Sequence, residues 1–376
     1  MVLPTGTPRA IVVTISRQRS GGLVSERLIS VDSHVFTTHA GIKSHLPQPW
    51  HDEYDEGVAK FAALDAEQRG DVPMKLPARA MEQAALERPG YRDPKDRLAD
   101  MDTDGIDVEV LYSEVSGFRN IALMTTGREQ AARAFNDTMA EFASADPRRL
   151  LVSYQIPLWD VDNAVSEVLR LAGEGARSVH LPNYPSEFGL PDYHDTRYDP
   201  LWGALSETGL PISQHLGIKE SLWDVFRRDP TPSKGIFTSL PALALAENLA
   251  FWILAGTLAR FPKLRILLVE AGLGWMNWYL AVLDQQVELG YEYPAIQELP
   301  SFYFHRQVFL SFMDDGPGLQ MRHDLGLENL MWSTDYPHPA TTFPRSRERI
   351  DQQMEGIPAG ERELLVCGNA ARVYGI

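Results

Sequence analysis

The segment Leu28–Val35, with the sequence LISVDSHV, is the stretch from which the fold of this chain can be inferred. It is the first of eight short β-rich runs. Because residues i and i+2 of a strand point to the same face, Asp32 and His34 should project together from one strand. The seven further runs are Asp107–Tyr112, Leu150–Pro157, Ala176–Leu181, Leu210–His215, Leu264–Glu270, Gln307–Phe312 and Asn329–Asp335.

Helical patterns separate these runs. They include the segments Gly127–Ala145, Asp160–Ala172, Pro241–Phe261, Leu273–Glu288 and Gly360–Val373. Eight strands that alternate with helices are typical of an α/β fold, the (β/α)8 TIM barrel. In such barrels the functional site lies at the C-terminal ends of the strands.

The composition shows no break that would divide the chain into two folded domains. We predict a flexible N-terminal extension over residues 1–27 and a single metal-dependent TIM-barrel domain over residues 28–376. Three connections, Phe36–Gly105, Leu216–Leu240 and Gln285–Arg306, are unusually long. Loops of this length in a compact fold usually cap a site, so we expect long capping loops here.

The charge balance and the cysteine count exclude several classes of function. The chain has 376 residues, with 51 Asp and Glu against 35 Lys and Arg, which gives a formal net charge of −16. This balance argues against nucleic acid or an anionic membrane surface as a partner. The one cysteine, Cys367, excludes intrachain disulfides and metal sites built from several thiolates. The longest apolar run, Leu249–Ala259, is too short to span a bilayer, and residues 1–30 show no secretory leader, so we predict a cytoplasmic protein.

Residue types that bind metals stand at the ends of the predicted strands. In addition to Asp32 and His34, the strand ends carry His180, His215, Glu270 and Asp335. Because the C-terminal ends of barrel strands share one rim, these side chains predict a metal site there. Carboxylates and imidazoles together suit Fe(II), Mn(II) or Zn(II). His338, three residues after Asp335, is either a further ligand or the partner of one.

These motifs resemble the amidohydrolase-related TIM-barrel family that includes aminocarboxymuconate-semialdehyde decarboxylase and the resorcylate-type decarboxylases. The resemblance implies a metal centre with Asp32, His34, His215 and Asp335 as ligands. The matching segments are Ile29-Ser-Val-Asp-Ser-His34, His180-Leu-Pro-Asn-Tyr-Pro185, Gln214-His-Leu-Gly217, Glu270-Ala-Gly-Leu-Gly-Trp275, Trp332-Ser-Thr-Asp-Tyr-Pro-His338 and Gly368-Asn-Ala-Ala-Arg372.

Strand six departs from the family pattern, in which this strand usually ends in a catalytic His. Here Glu270 occupies that position, and it is a candidate fifth metal ligand. Three carboxylates can neutralise more than one divalent cation, so we expect iron, in one or two copies, with zinc or manganese as alternatives. The pattern is also similar to a branch of the family, the non-haem di-iron monooxygenases of platensimycin- and platencin-type diterpenoid biosynthesis.

Two enzymatic functions follow from this pattern. The favoured one is a non-haem iron monooxygenase that hydroxylates a bulky apolar acid or its CoA thioester. The alternative is a metal-dependent hydrolase or non-oxidative decarboxylase, in which a residue such as Asp335 would act on a metal-bound water. The candidate catalytic residues are Glu270, Asp335, His180 and His338.

Aromatic residues in the long connections suggest an apolar substrate. We expect them to line one pocket, with neither nucleic acid nor membrane as a partner, and they are also compatible with a homodimer. They are Tyr54, Phe61, Tyr91, Phe118, Trp223, Phe226, Trp278 and Tyr303.

Overall fold

Eight strands form one sheet in which each strand lies parallel to the next along the chain. The structure, a computed structural model, describes residues 26–70, 87–113 and 117–376. The predicted (β/α)8 barrel is confirmed, whereas almost all of the predicted extension over residues 1–27 lies outside the described residues. The strands are β1 (Ile29–Val35), β2 (Val108–Ser113), β3 (Leu150–Gln155), β4 (Ser178–His180), β5 (Ile212–His215), β6 (Ile266–Val269), β7 (Val308–Phe312) and β8 (Leu330–Trp332).

Helices connect successive strands. Up to β5 the α-helices span His39–His45, His51–Arg69, Pro94–Asp104, Gly117–Ala122, Arg128–Ala143, Val161–Gly173 and Asp199–Thr208. After β5 they span Leu222–Arg228, Gly235–Thr238, Pro241–Leu254, Thr257–Arg260, Met276–Glu288, Pro300–Gln307, Gly316–Gln320, Ser346–Gln353, Ala359–Glu363 and Asn369–Tyr374, with a π-helical turn at Leu364–Gly368. Short 3₁₀ helices span Gln48–Trp50, Pro89–Tyr91, Pro185–Phe188, Thr196–Tyr198 and Leu327–Asn329.

The barrel closes between β1 and the segment that follows β8. The backbone N–H of His34 donates to the carbonyl of Tyr336 at 2.6 Å, and the N–H of Asp335 donates to the carbonyl of Asp32 at 3.0 Å. We call this pair of segments, Asp32–His34 and Asp335–Tyr336, the closing seam. The seam places residues of the first strand within hydrogen-bonding distance of residues that follow the last strand.

Small polar side chains form a layer inside the barrel. The hydroxyls of Ser153 and Ser178 lie 3.1 Å apart, those of Ser178 and Ser213 lie 3.0 Å apart, and Tyr112 donates to Ser213 at 3.0 Å. All four residues are buried. Because each hydroxyl has a partner, this layer satisfies its own hydrogen bonds, and the ring of Tyr112 rises from it toward His215 at 5.0 Å.

Several predicted elements end earlier than the sequence pattern suggested. Strand β6 ends at Val269 and β8 at Trp332, so Glu270 and Asp335 lie just past the strands rather than within them. The predicted helix Pro241–Phe261 is interrupted at Gly256, whose φ is 83° and whose missing Cβ would lie 2.6 Å from the Cβ of Ala295. A left-handed glycine ends a helix, which explains the interruption.

The long connections contain helices, and their aromatic residues do not line a single pocket. After β5, Trp223, Phe226 and Phe237 form a small hydrophobic cluster separate from the main core. Tyr303 is buried in the main core, whereas Trp278 is 69% exposed. The prediction of one aromatic pocket is therefore wrong, because these residues are divided among the main core, the small cluster after β5 and the exposed surface.

One helical stretch, 235–254, is long and apolar enough to cross a membrane by length and composition alone. Its helix Pro241–Leu254 buries Leu245, Leu249 and Trp252 in the barrel core. A helix that packs into a protein core can have the same length and composition, so this stretch gives no support for a membrane span.

Gly318, in the helix Gly316–Gln320, allows a close approach behind β6. A Cβ at this position would overlap the Cβ of Leu273 and lie 2.9 Å from the Cγ of Asp315. We expect Gly318→Ala to lower the free energy of unfolding by about 1–3 kcal/mol through overpacking. The control, Gly203→Ala in the interior of the helix Asp199–Thr208, meets no atom within 4 Å and should raise it by up to about 1 kcal/mol. Urea unfolding measures both, and a Gly318→Ala variant as stable as the wild type would contradict the packing described.

Candidate metal centre

Strand β1 contributes Asp32 and His34 to the site. Both side chains are buried, and their alternate positions on the strand give them a common face. The Nε2 atom of His34 lies 3.5 Å from the Oδ1 atom of Asp32. The strand therefore places the two side chains next to each other, as the sequence pattern predicted.

His215, the last residue of β5, approaches Asp32 from across the barrel. Its Nε2 lies 3.1 Å from Asp32 Oδ1, and its Nδ1 lies 2.9 Å from the carbonyl oxygen of Leu216. A carbonyl oxygen can only accept a hydrogen bond, so Nδ1 carries the proton. Nε2 therefore faces the carboxylate, and it donates a hydrogen bond to Asp32 when the ring is protonated. A cation that replaced this proton would bind the Nε2 lone pair, as in histidines that bind metals.

Glu270 and Asp335 follow β6 and β8 in left-handed backbone conformations, with φ angles of 57° and 53°. Such angles cost about 1–2 kcal/mol per residue for non-glycine residues and are found where the surroundings require them. The N–H of Glu270 is held by the hydroxyl of Ser311 at 2.7 Å, and that of Asp335 by the carbonyl of Asp32. The turn out of each strand directs the carboxylates to the rim.

One carboxylate oxygen of Asp335 contacts two imidazole rings. Its Oδ1 is 3.3 Å from His34 Nε2 and 3.0 Å from His338 Nδ1, and the rings of His34 and His338 stack with centroids 4.0 Å apart. The sequence left open whether His338 is a ligand or a partner. The contact with Asp335 is compatible with either role.

The predicted metal-binding residues converge. In the described part of the chain, ligand atoms within 4.8 Å of one another occur in three overlapping groups: Asp32 with His34 and His215, His34 with Asp335 and His338, and Asp32 with Glu270 and Asp335. All five residues that we predicted as ligands belong to at least one group. His180 belongs to none of the three.

His180 lies beside this cluster, in an aromatic wall. Its ring makes edge contacts with Tyr112 at 5.6 Å and with Phe118 at 5.5 Å between centroids. Burial, followed by the positive charges of His215 and His34, lowers the pKa of His180 to about 3. A neutral His180 is suited to hydrogen bonding and ring packing.

The charges of the cluster favour a bound cation. Burial and the nearby Asp335 raise the pKa of Glu270 well above its usual range. Burial lowers the pKa of His215, but the charge and hydrogen bond of Asp32, the charge of Glu270 and the hydrogen bond with Leu216 together outweigh it and raise the pKa to about 9. Nearby carboxylates contribute to both shifts, and a divalent cation offsets negative charge that is confined in one place.

The donor atoms also fit a cation. Among residues 26–70, 87–113 and 117–376, the fully buried Oδ2 of Asp32 has no hydrogen-bond partner. A buried carboxylate oxygen without a partner is costly, and metal coordination would satisfy it. Imidazole nitrogens and carboxylate oxygens in this ratio suit manganese, zinc or iron.

Sequence reasoning missed the residues that hold the ligands in place. The side-chain amide of Asn183 donates to the carbonyl of His215, and Asp315 Oδ2 accepts from the N–H of Gly274 at 3.0 Å, behind Glu270. Ser311 and Asn183 are polar residues at or just after strand ends, which is a signal available in the sequence. Arg97, whose Nη1 donates to the carbonyl of His34 at 2.8 Å, carries no such signal, because in the sequence it lies within a helix and not at a strand end.

Comparison with known proteins identifies the family. A model of the amidohydrolase family matches residues 42–376, so the chain belongs to this family. The gamma-resorcylate decarboxylase of Rhizobium sp. (strain MTP-10005) is 27% identical over 260 residues, which cover 64% of this chain and 76% of that protein.

Solved structures share the fold. An amidohydrolase from Mycobacterium avium subsp. paratuberculosis K-10 matches with a TM-score of 0.73 at 19% identity, covering 94% of this chain and all of that one. The 5-carboxyvanillate decarboxylase of Novosphingobium aromaticivorans, solved with bound manganese, matches with a TM-score of 0.72 at 18% identity, covering 96% of this chain and all of that one.

These relatives correct the functional prediction. The prediction of a non-haem iron monooxygenase is wrong, because the curated relatives found are decarboxylases, which agrees with the alternative of a metal-dependent hydrolase or non-oxidative decarboxylase. Glu270 decided the choice between the two functions, and it misled because a carboxylate at this position is compatible with proton transfer as well as with iron. The predictions of iron, of a CoA-linked substrate and of a homodimer receive no support from these relatives.

Removal of one central carboxylate should abolish tight metal binding. Asp32 contacts both His34 and His215, so we expect Asp32→Asn to weaken Mn²⁺ binding at least about 100-fold. This is more than is typical when a residue that only hydrogen-bonds to a metal ligand is replaced. Asp102→Asn, which removes an exposed carboxylate paired with Arg149, serves as the control and should leave the Kd unchanged. Titration calorimetry gives both values. Equal Kd values for Asp32→Asn and the wild type would show that Asp32 is not a ligand.

Proposed function

We propose that this chain is a metal-dependent non-oxidative decarboxylase of hydroxy-substituted aromatic acids. The observation that carries the proposal is the cluster of Asp32, His34, His215 and Asp335 at the barrel rim, in a chain whose curated relatives are gamma-resorcylate decarboxylases. A location in the cytoplasm remains our prediction.

The proposed ligands of the cation are Asp32, His34, His215 and Asp335, with Glu270 facing the same space. Manganese is the favoured ion, since it is bound in the related 5-carboxyvanillate decarboxylase, and zinc is the alternative. When bound, the cation supplies a positive charge against the anionic oxygens of an aromatic acid. The residues of the chain then have two tasks, which are to orient the substrate ring and to supply a proton.

Non-oxidative decarboxylation exchanges CO₂ for a proton. The bond between the ring carbon and the carboxyl carbon breaks, CO₂ leaves, and the electron pair stays on the ring carbon, which takes up H⁺. Neither an oxidant nor a reductant is needed. The chain must therefore hold an acid that can reach the ring carbon and regain its proton from water.

Glu270 is the carboxyl group best placed for this role. Its side chain is 22% exposed, whereas those of Asp32 and Asp335 are 0% and 1% exposed, so it is the one that exchanges protons with solvent most readily. Its Oε2 lies 3.9 Å from His215 Nε2, which places it beside the proposed ligands. In this proposal Glu270, at the position where the family usually has His, donates the proton to the ring carbon.

The other candidate residues receive supporting roles. Asp335 Oδ1 contacts a ring nitrogen of His34 and one of His338, which keeps the carboxylate directed at the cluster. His180 and Phe118 form an aromatic wall beside the site, and a flat aromatic ring packs favourably against such a wall. In this proposal His338 orients Asp335 and His180 orients the substrate.

A direct assay tests the reaction. We expect the Mn²⁺-loaded protein, under nitrogen and in D₂O, to convert 2,6-dihydroxybenzoate or 5-carboxyvanillate into CO₂ and the decarboxylated phenol. The product should carry one deuterium at the carbon that lost CO₂, measured by mass spectrometry and NMR. The proposal fails if the metal-loaded protein acts on neither acid, or if turnover requires dioxygen.

The role of Glu270 can be separated from metal binding. We expect Glu270→Gln to lower kcat by about 10²–10⁴-fold, because the amide cannot supply a proton, while Mn²⁺ affinity falls by less than about tenfold. The control is Glu247→Gln, a partly exposed carboxylate paired with Lys219, and it should keep the wild-type kcat. If Glu270→Gln instead loses metal as completely as Asp32→Asn does, Glu270 is a ligand and the proton comes from elsewhere.

A further inference from the structure

Arg97 is a fully buried guanidinium group that the proposed chemistry does not use. It lies on the helix Pro94–Asp104, and its Nε donates to Glu109 Oε2 on β2 at 2.6 Å. One terminal nitrogen, Nη1, donates to the carbonyl of His34 at 2.8 Å and to that of Gly90 at 3.3 Å. The side chain therefore joins β2 to the backbone of a proposed metal ligand.

The same guanidinium group contacts the other side of the closing seam. Its central carbon lies 4.1 Å from the ring centroid of Tyr336, the residue after Asp335. The hydroxyl of Tyr336 donates to Asp100, one turn along the same helix as Arg97. One helix thus holds both His34 and the neighbour of Asp335, at the point where the barrel closes.

We infer that Arg97 is a positioning residue of the metal centre, one that sets the distance between His34 and Asp335. This inference rests on the metal centre that the proposed function requires. The hydrogen bond fixes the carbonyl of His34, and the stacking fixes the ring that follows Asp335. Both contacts act on the backbone that carries the ligands, and neither involves the reacting atoms.

The chemistry of the pair explains why an arginine is needed. A buried ion pair is weak evidence for stability, since apolar residues of similar volume often stabilise a fold as well or better. A planar guanidinium group can donate hydrogen bonds from several nitrogens and stack flat on an aromatic ring at the same time. A lysine ammonium group has one nitrogen, so it reproduces neither this planar set of donors nor the flat stacking. Its geometry, rather than its charge, accounts for the contacts seen here.

The test compares two arginine-to-lysine variants. Arg97→Lys keeps a charge beside Glu109 but loses the contacts with His34 and Tyr336. The matched control is Arg170→Lys, which alters another arginine–glutamate pair, with Glu167, on the outer helix Val161–Gly173. We measure the Kd for Mn²⁺ by titration calorimetry and the zero-field splitting of bound Mn²⁺ by EPR, along with thermal unfolding.

We expect Arg97→Lys to weaken Mn²⁺ binding at least about tenfold and to change the EPR spectrum, since partners of metal ligands typically have effects of this size. Arg170→Lys should keep the wild-type Kd within about twofold and the wild-type spectrum, whatever it does to the melting temperature. A folded Arg97→Lys variant with the wild-type Kd and spectrum would overturn the inference.

A second variant decides the matter if Arg97→Lys does not fold. The double substitution Arg97→Met with Glu109→Leu replaces the buried pair with apolar side chains, a change that often preserves stability. It should show the same loss of affinity and the same spectral change, and wild-type values would overturn the inference. A wild-type protein that binds no Mn²⁺ would refute the metal centre itself, whereas wild-type binding with unchanged variants refutes only the role of Arg97.

Discussion

The closing seam is the constraint on which the rest of the site depends. Two backbone hydrogen bonds, from His34 to Tyr336 and from Asp335 to Asp32, join the first strand to the segment after the last. The same residues bear three of the proposed ligands. Closing the barrel therefore also brings together three of the four proposed ligands, and any shift of the seam would move Asp32, His34 and Asp335.

The site concentrates unfavourable features that a bound cation would offset. Glu270 and Asp335 hold left-handed conformations, and three carboxylates share one space with a partnerless buried oxygen on Asp32. Each of these features costs stability in a protein without a cation. Their concentration at the rim, above a well-satisfied layer of serine hydroxyls, separates the part of the barrel that provides stability from the part that provides chemistry.

Much of the fold and of the site could be predicted, because both depend on local patterns. Alternation along β1 places Asp32 beside His34, and parallel strands bring His215 to the same rim. The left-handed turns at Glu270 and Asp335 could not be predicted, since non-glycine residues rarely adopt such angles and the β-rich runs extend to both positions. Arg97 was missed because its importance arises from contacts with residues far away in the sequence. The reaction was predicted wrongly because a carboxylate at position 270 is equally compatible with redox and proton chemistry.

The position of a bound ion tests the central claim most directly. Crystals of the protein grown with MnCl₂ can be measured on both sides of the manganese absorption edge. We predict an anomalous peak within about 2.0–2.3 Å of side-chain atoms of Asp32, His34, His215 and Asp335. A fully occupied peak elsewhere, or none at this rim with the side chains placed as described, would contradict it.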